Sequence, residues 1–216
     1  ETANNLYKKL EKETEQPTGF HECGSLRIAY KKEDLDWFKY VKGILDNIGA
    51  PSEIISTNEI RKVHPFIKLD EILGAFHTPD DGHTDPTSTT NAMAKGARNF
   101  GAKIYRKNRV TDIKQLSSGE WKLITEKGDI VCEHVVNAAG SYGPEVGAMV
   151  GLKNVPSINM IHHYLVTDEH PSIAKLEKEL PVVRDPQASA YLRQEGKGLL
   201  IGPYEKNTKC WALNGI

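Results

Sequence analysis

The sequence has no run of about 18 apolar residues such as a membrane-spanning helix needs. Its first residues, Glu1-Thr2-Ala3-Asn4-Asn5, have neither the basic start nor the apolar stretch of a secretory signal. Membrane insertion is therefore not expected. Cysteine is scarce: Cys23, Cys132 and Cys210 are odd in number, widely spaced and free of any C-x-x-C. That argues against a disulfide framework or a zinc clip and for a reducing compartment. No charge predominates, because 28 basic against 29 acidic residues leave a formal net charge of -1. So balanced a chain has no field with which to recruit nucleic acid or an anionic lipid surface. A G-x-G-x-x-G fingerprint between a strand and a helix is also missing. Gly196 and Gly198 come nearest, but Leu199-Leu200-Ile201 follows them, so a hairpin turn is expected there.

What is present suits a soluble globular chain, since 38% hydrophobic content over 216 residues can bury a core. Residues 25–30 alternate Leu26, Ile28 and Tyr30 with Arg27 and Ala29, the period of a strand with one apolar face. Leu35, Phe38, Val41, Leu45 and Ile48 then recur at helical spacing until Gly49 and Pro51 stop the pattern. Ser56 and Glu59 are spaced as a capping box for a short helix over 57–63, and a strand is expected over 72–77. Asp85 as N-cap and Pro86 in the first turn begin a helix over 87–100. Its small face, Ala92, Ala94, Gly96 and Ala97, predicts close packing against a sheet. Short strands are expected at 103–105, 110–113, 121–125, 130–133 and 135–138, and a helix around 144–150. A long strand over 160–167, a surface helix over 172–179 and strands at 182–184, 190–193 and 199–202 follow. Without a strict βαβ alternation, the fold class is α+β with a mixed, largely antiparallel sheet.

Several stretches carry chemistry-bearing side chains. Val135-Val136-Asn137-Ala138-Ala139-Gly140 ends an apolar run in small residues, which lets backbone N–H groups approach a phosphate or ribose. The same pattern also serves as an ordinary packing turn. Asp80 to Asp85 gathers three carboxylates with His83, but Asp81-Gly82 suits a turn and Asp85 a cap, and the calcium-loop pattern is missing, so no metal is expected. His21 reads as a strand-edge residue and not as a ligand. In His162-His163-Tyr164 a strand would turn the two histidines to opposite faces. Tyr191 and Arg193 would share one face, where the guanidinium suits a carboxylate; on an outer face both would only be solvated.

Five stretches, in order and spacing, span nearly the whole chain: 19–29 (GFHECGSLRIA), 78–98 (TPDDGHTDPTSTTNAMAKGAR), 136–147 (VNAAGSYGPEVG), 162–167 (HHYLVT) and 180–205 (LPVVRDPQASAYLRQEGKGLLIGPYE). Together they resemble the D-amino-acid-oxidase-like (DAO) family of FAD-dependent oxidoreductases, in its dimethylglycine and sarcosine dehydrogenase branch. The resemblance implies an internal piece of a flavoprotein, with a partial FAD-binding region but lacking the N-terminal Rossmann βαβ unit and the histidine that bonds covalently to flavin, a role not transferred to His21. Segments 19–77 and 155–205 would belong to the substrate domain and 78–150 would pack on the FAD-binding region.

By the same resemblance Val110, Ala139, Gly140 and Tyr142, where the family often has Trp, would contact FAD, and the piece alone would hold the cofactor weakly or not at all. His162 and Tyr191 would be catalytic, and Arg193 and Tyr204 would meet the substrate. The implied reaction is oxidative N-demethylation of a small N-methyl amino acid, dimethylglycine or sarcosine, by hydride transfer to the flavin. The iminium product is hydrolysed or captured by tetrahydrofolate on a C-terminal region. Dehydrogenase, with an electron-transfer flavoprotein as partner, and oxidase are both open. The compartment is bacterial cytoplasm or mitochondrial matrix, according to the organism. Residues 49–56 (GAPSEIIS) also resemble the regulatory subunit of pyruvate dehydrogenase phosphatase, a non-catalytic scaffold. Asp81-Gly82-His83 and the pair His162 and Tyr191 favour the enzyme.

Overall fold

The elements follow in the order α1 (Thr2–Thr14), β1 (Ser25–Ala29), α2 (Lys32–Asn47), β2 (Glu53–Ile55), α3 (Thr57–Val63), β3 (Gly74–Thr78) and α4 (Pro86–Asn99). Next come β4 (Val110–Gln115), β5 (Trp121–Thr125), β6 (Ile130–Cys132), a 3₁₀ turn (Gly140–Tyr142), α5 (Gly143–Met149), β7 (Asn159–Met160) and β8 (Leu165–Val166). The chain closes with α6 (Pro171–Ala174), β9 (Val182–Asp185), β10 (Ala190–Glu195), β11 (Gly198–Pro203) and β12 (Cys210–Trp211). The computed structural model describes residues 2–211. They form two units, residues 2–102 with His162–Glu205, and Lys103–Ile161 with residues 206–211.

The first unit is built on a seven-stranded sheet ordered β2-β3-β1-β9-β10-β11-β8, in which β1 and β9 run parallel and all other neighbours antiparallel. Alternation along the strands divides the apolar side chains between two faces. Leu26, Ile28, Ile55, Ala75 and Val183 form one core with Ile60 of α3 and Ile72. Ala29 and Phe76 form the other beneath Phe38 of α2, with Leu35, Val41, Leu45 and Ile54 around them. The helical spacing of those α2 residues is what lets one stripe cover that face. α3 starts where its capping box directs: Glu59 Oε2 accepts from the Ser56 N–H at 2.7 Å and Ser56 Oγ from the Glu59 N–H at 3.4 Å. Such a cap is worth about 1 kcal/mol. In α4 Asp85 accepts from the Ser88 N–H at 2.6 Å. Its small face packs on α1, not on a sheet as expected: a side chain at Gly96 would press on Thr14.

The second unit has a meander, β4-β5-β6, and a two-stranded pair, β7 with β12. Here the sequence reading needs correction. No strand forms at 103–105 or 135–138, because β propensity without a ladder partner leaves the backbone irregular; Val136 is 86% exposed. The long strand over 160–167 is two short ones, β7 and β8, parted by His162 and His163 and belonging to different units. The helix over 172–179 is the single turn α6. The first unit ends its N-terminal part at Ala102, so α4 lies in it. The turn expected at Gly196 does join β10 to β11 as a hairpin.

His64, closing α3, is 2% exposed, and neither ring nitrogen has a hydrogen-bond partner among the described residues. Burial pushes its pKa from 6.5 down to about 4. Between those values the unfolded chain binds a proton that the folded one refuses, so stability is full above pH 6.5 and falls as the pH drops toward 4. The loss amounts to about 3 kcal/mol at about 1.4 kcal/mol per pH unit. Thermal unfolding between pH 7 and 4.5 should show His64→Leu losing less stability than the parent protein over that window.

Candidate functional site

Residues in register on neighbouring strands present their side chains to the same face of a sheet. One such row crosses the large sheet: Phe76 faces Arg27, Arg27 faces Arg184, Arg184 faces Tyr191 and Tyr191 faces Gly202. α2 covers the β2-β3-β1 end of this face. Beyond it, over β9, β10 and β11, the row turns polar. The Tyr191 ring occupies the space where a Cβ on Gly202 would stand, so glycine at 202 is what admits the ring.

Tyr204 follows β11, its N–H donating to the Ser189 carbonyl at 2.7 Å, and its ring centroid lies 5.7 Å from that of Tyr191. The antiparallel pairing of β8 with β11, extended past the strand ends, brings His162 opposite Tyr204. Their rings meet edge to face at 5.7 Å. Glu205 closes the cluster. Its carboxylate contacts His162 Nδ1 at 2.9 Å and His163 Nδ1 at 3.0 Å, and accepts from the His163 backbone N–H at 3.1 Å. The hydrogen bond with His162, helped by backbone donors and His163, holds the Glu205 carboxyl down at about 2. A carboxylate that is always ionised can only accept, so Nδ1 of a neutral His162 carries the proton and Nε2 keeps its lone pair.

Three of the residues anticipated for catalysis and substrate, His162, Tyr191 and Tyr204, thus come together. Arg193 does not join them: its guanidinium bonds Glu195 at 2.6 Å and the Gln194 carbonyl at 3.0 Å. Sequence reasoning missed Glu205, adjacent to Tyr204 at a strand end, and the pair Arg27 and Arg184. Those two arginines have no ion-pair partner among the described residues, and with Asp185, Ser189 and Tyr204 they line a cleft of about 240 Å³. Two cations side by side repel unless an anion lies between them, a signal that only strand register reveals.

In the second unit Val110, Ala139 and Tyr142 line one cavity of about 340 Å³ with Arg109, Glu145, Val146 and Met149. Gly140, at φ +56°, begins the 3₁₀ turn and has open space where a side chain would stand. Asn137 pins the turn, donating to the Gly143 carbonyl at 2.9 Å and accepting from the Ala139 N–H at 3.2 Å. Apolar walls, one aromatic ring and an arginine, Arg109, which lies 3.8 Å from the Glu145 carboxylate, fit part of a dinucleotide, and the volume is near the lower end of ligand pockets. Elsewhere Asp81 and Asp85 serve the turn and the cap as expected. Cys23 is a free thiol whose pKa is raised by burial and then by the charge of Glu179.

The sequence matches the family described as FAD dependent oxidoreductase over residues 1–214. It is 41% identical over 216 residues to the mitochondrial dimethylglycine dehydrogenase of Rattus norvegicus, covering 98% of this chain and 25% of that protein. It is 31% identical over 212 residues to the mitochondrial pyruvate dehydrogenase phosphatase regulatory subunit of Mus musculus, covering 96% and 24%. The chain therefore spans about a quarter of the length of these relatives. The crystal structure of L-proline dehydrogenase from P.horikoshii superposes with a TM-score of 0.81 at 28% identity, covering 93% of this chain and 53% of that one.

The contact of Tyr191 with Gly202 is testable by itself. Gly202→Ala should cost about 1–3 kcal/mol through overpacking, and most of that cost should vanish in a Tyr191→Ala background. Denaturant unfolding of the four proteins in the cycle reads the coupling.

Proposed function

The chain belongs to the FAD dependent oxidoreductase family, and from that premise we propose that the protein oxidises a small N-methyl amino acid at its methyl carbon, dimethylglycine before sarcosine. The observation that carries this reading is the ring cluster of His162, Tyr204 and Tyr191 backed by the Glu205 carboxylate. An N-methyl amino acid is an ammonium near neutral pH, and only a free nitrogen lone pair can assist loss of hydride from the adjacent carbon. The site must therefore take a proton first. Glu205 holds His162 with its Nδ1 proton turned away, so Nε2 is the acceptor. Tyr191 and Tyr204 orient the amine by hydrogen bonding and ring contact. Arg184 and Arg27 take the substrate carboxylate, a geometry in which guanidinium excels; Arg193, engaged by Glu195, is the lesser candidate for that role.

Loss of a hydride from the methyl carbon then leaves an iminium, which water or a tetrahydrofolate consumes. When bound, FAD supplies the two-electron acceptor for that hydride, and Val110, Ala139, Gly140 and Tyr142 are the residues that would hold it. An electron-transfer flavoprotein as the next acceptor, and a mitochondrial matrix setting in a eukaryote, complete the proposal. The mitochondrial relatives support the setting. A second reading, a scaffold without activity, draws on the 31% identity to the phosphatase regulatory subunit.

The test is anaerobic addition of dimethylglycine and of sarcosine to the flavin-loaded full-length protein, followed by absorbance. Dimethylglycine should bleach the flavin, and His162→Ala and Tyr191→Phe should slow bleaching by about 10²-fold or more. Arg184→Met should raise the half-saturating substrate concentration more than it lowers the limiting rate. A protein that purifies without flavin, or whose flavin neither amine reduces, belongs to the scaffold reading.

A further inference from the structure

At the opposite end of the large sheet from the His162 cluster, three strands begin or end side by side: β3 at Thr78, β1 at Ser25 and β9 at Val182. Just beyond them the backbone continues as a narrow pair. His21 and His83 exchange two hydrogen bonds, His21 N–H to the His83 carbonyl at 2.8 Å and His83 N–H to the His21 carbonyl at 3.1 Å. Residues so paired stand on one side of the ribbon, and the two imidazoles stack with centroids 4.8 Å apart and planes 12° from parallel. The ribbon leaves little freedom, for a Cβ on Gly82 would overlap the His21 carbonyl oxygen. Further bonds hold it, from the Gly24 N–H to the Asp81 carbonyl at 2.8 Å and from Thr84 Oγ1 to the Thr18 carbonyl at 2.9 Å.

Glu179 arrives from a third segment, fixed by the Val182 N–H on the Gly24 carbonyl at 2.9 Å and the Leu180 N–H on Gln194 Oε1 at 3.1 Å. One of its oxygens meets His21 Nδ1 at 2.7 Å and the other meets His83 Nε2 at 2.7 Å. The donor atoms of all three side chains lie within 4.8 Å of one another.

The geometry points to a site for a first-row divalent cation, zinc in the first instance, formed by His21, His83 and Glu179. Both ring nitrogens aim at one carboxylate, so their lone pairs converge once the intervening protons leave, and a dication stands in for those protons. Two imidazoles with one carboxylate form a three-protein-ligand set that suits zinc and leaves a fourth position for water. Magnesium and calcium, which want oxygen ligands throughout, do not match. Tetrahedral zinc, with bonds of about 2.0–2.2 Å, needs donor atoms roughly 3.3 Å apart, so the bonded carboxylate and ring atoms must separate by about half an ångström while the donor pair nearest the 4.8 Å limit closes. The His21 side chain is 52% exposed, which gives the ion a way in and water a place to bind. Such an ion would clasp three strand ends that come from distant parts of the chain. Sequence reading took His21 for a strand-edge residue and expected no metal at Asp80 to Asp85, because Glu179 lies about a hundred residues further on and only strand order brings it near.

The test uses the full-length flavin-loaded protein, freed of metal by chelation and titrated with Zn²⁺ by calorimetry, with Co²⁺ as a spectroscopic stand-in. The parent should bind one more Zn²⁺ per chain than His21→Ala and His83→Ala, and Co²⁺ at that extra site should show the visible absorption of low coordination number. Glu179→Gln should weaken binding at the site by about tenfold or more, and added Zn²⁺ should raise the melting temperature of the parent but not of the variants. His21 is the more exposed histidine, so His21→Ala remains informative if His83→Ala does not fold. Equal Zn²⁺ stoichiometry and affinity in the parent and His21→Ala, or no Zn²⁺ bound by either, would overturn the proposal.

Discussion

Three registered pairs, Ser25 with Val182, Leu26 with Val183 and Arg27 with Arg184, join the two halves of the large sheet. On one side of this parallel seam lie β3 and β2, and on the other β10, β11 and β8. Leu26 and Val183, 1% and 2% exposed, bury the seam on one face. On the other face the same register sets two guanidinium groups side by side and carries the row on to Tyr191. The side chains proposed to meet substrate in this unit therefore take their places from a pairing that residues far apart in the chain must find. Tyr30 reinforces it: its hydroxyl donates to Asp185 at 2.7 Å, and burial followed by the Asp185 contact pushes the phenol pKa up to about 12.

A single sheet face thus changes character along its width. Under α2 it is a core, filled by Phe38, Ala29 and Phe76. Past β1, on β9 and β10, the same row carries Arg184 and Tyr191 in place of aliphatic side chains. The alternation that builds the first half also directs the polar side chains in the second, so the packing rule and the placement of the candidate site have one origin.

Legibility followed the range of the interactions. α3 reads directly from Ser56 and Glu59, because both members of its cap lie within one turn, and β1 from its own alternation. Val135 and Val136 have the composition of a strand but find no partner, and a strand without a ladder is only extended chain. β2 and β12 escaped because three- and two-residue strands carry no period to detect. His162, Tyr191 and Tyr204 stood out one by one, and the resemblance supplied roles for them. That Glu205 would orient His162, or that Arg184 would displace Arg193 as the better-placed cation, depended on strand order and on the local grip of Glu195, neither of which has a local signature.

The seam also sets a timetable. Tyr30 and Asp185, whose side chains bond beside it, are 155 residues apart, and a ribosome adding about 5–20 residues per second needs roughly 8–30 s to make that interval. β1, β2 and β3 with α2 and α3 have all emerged by then and hold enough apolar surface to collapse. β1 must wait with one edge bare, the amides and carbonyls that face β9 unpaired. An edge left bare is a template for another strand, so the arrival of β9 also closes the edge of β1 to any other partner.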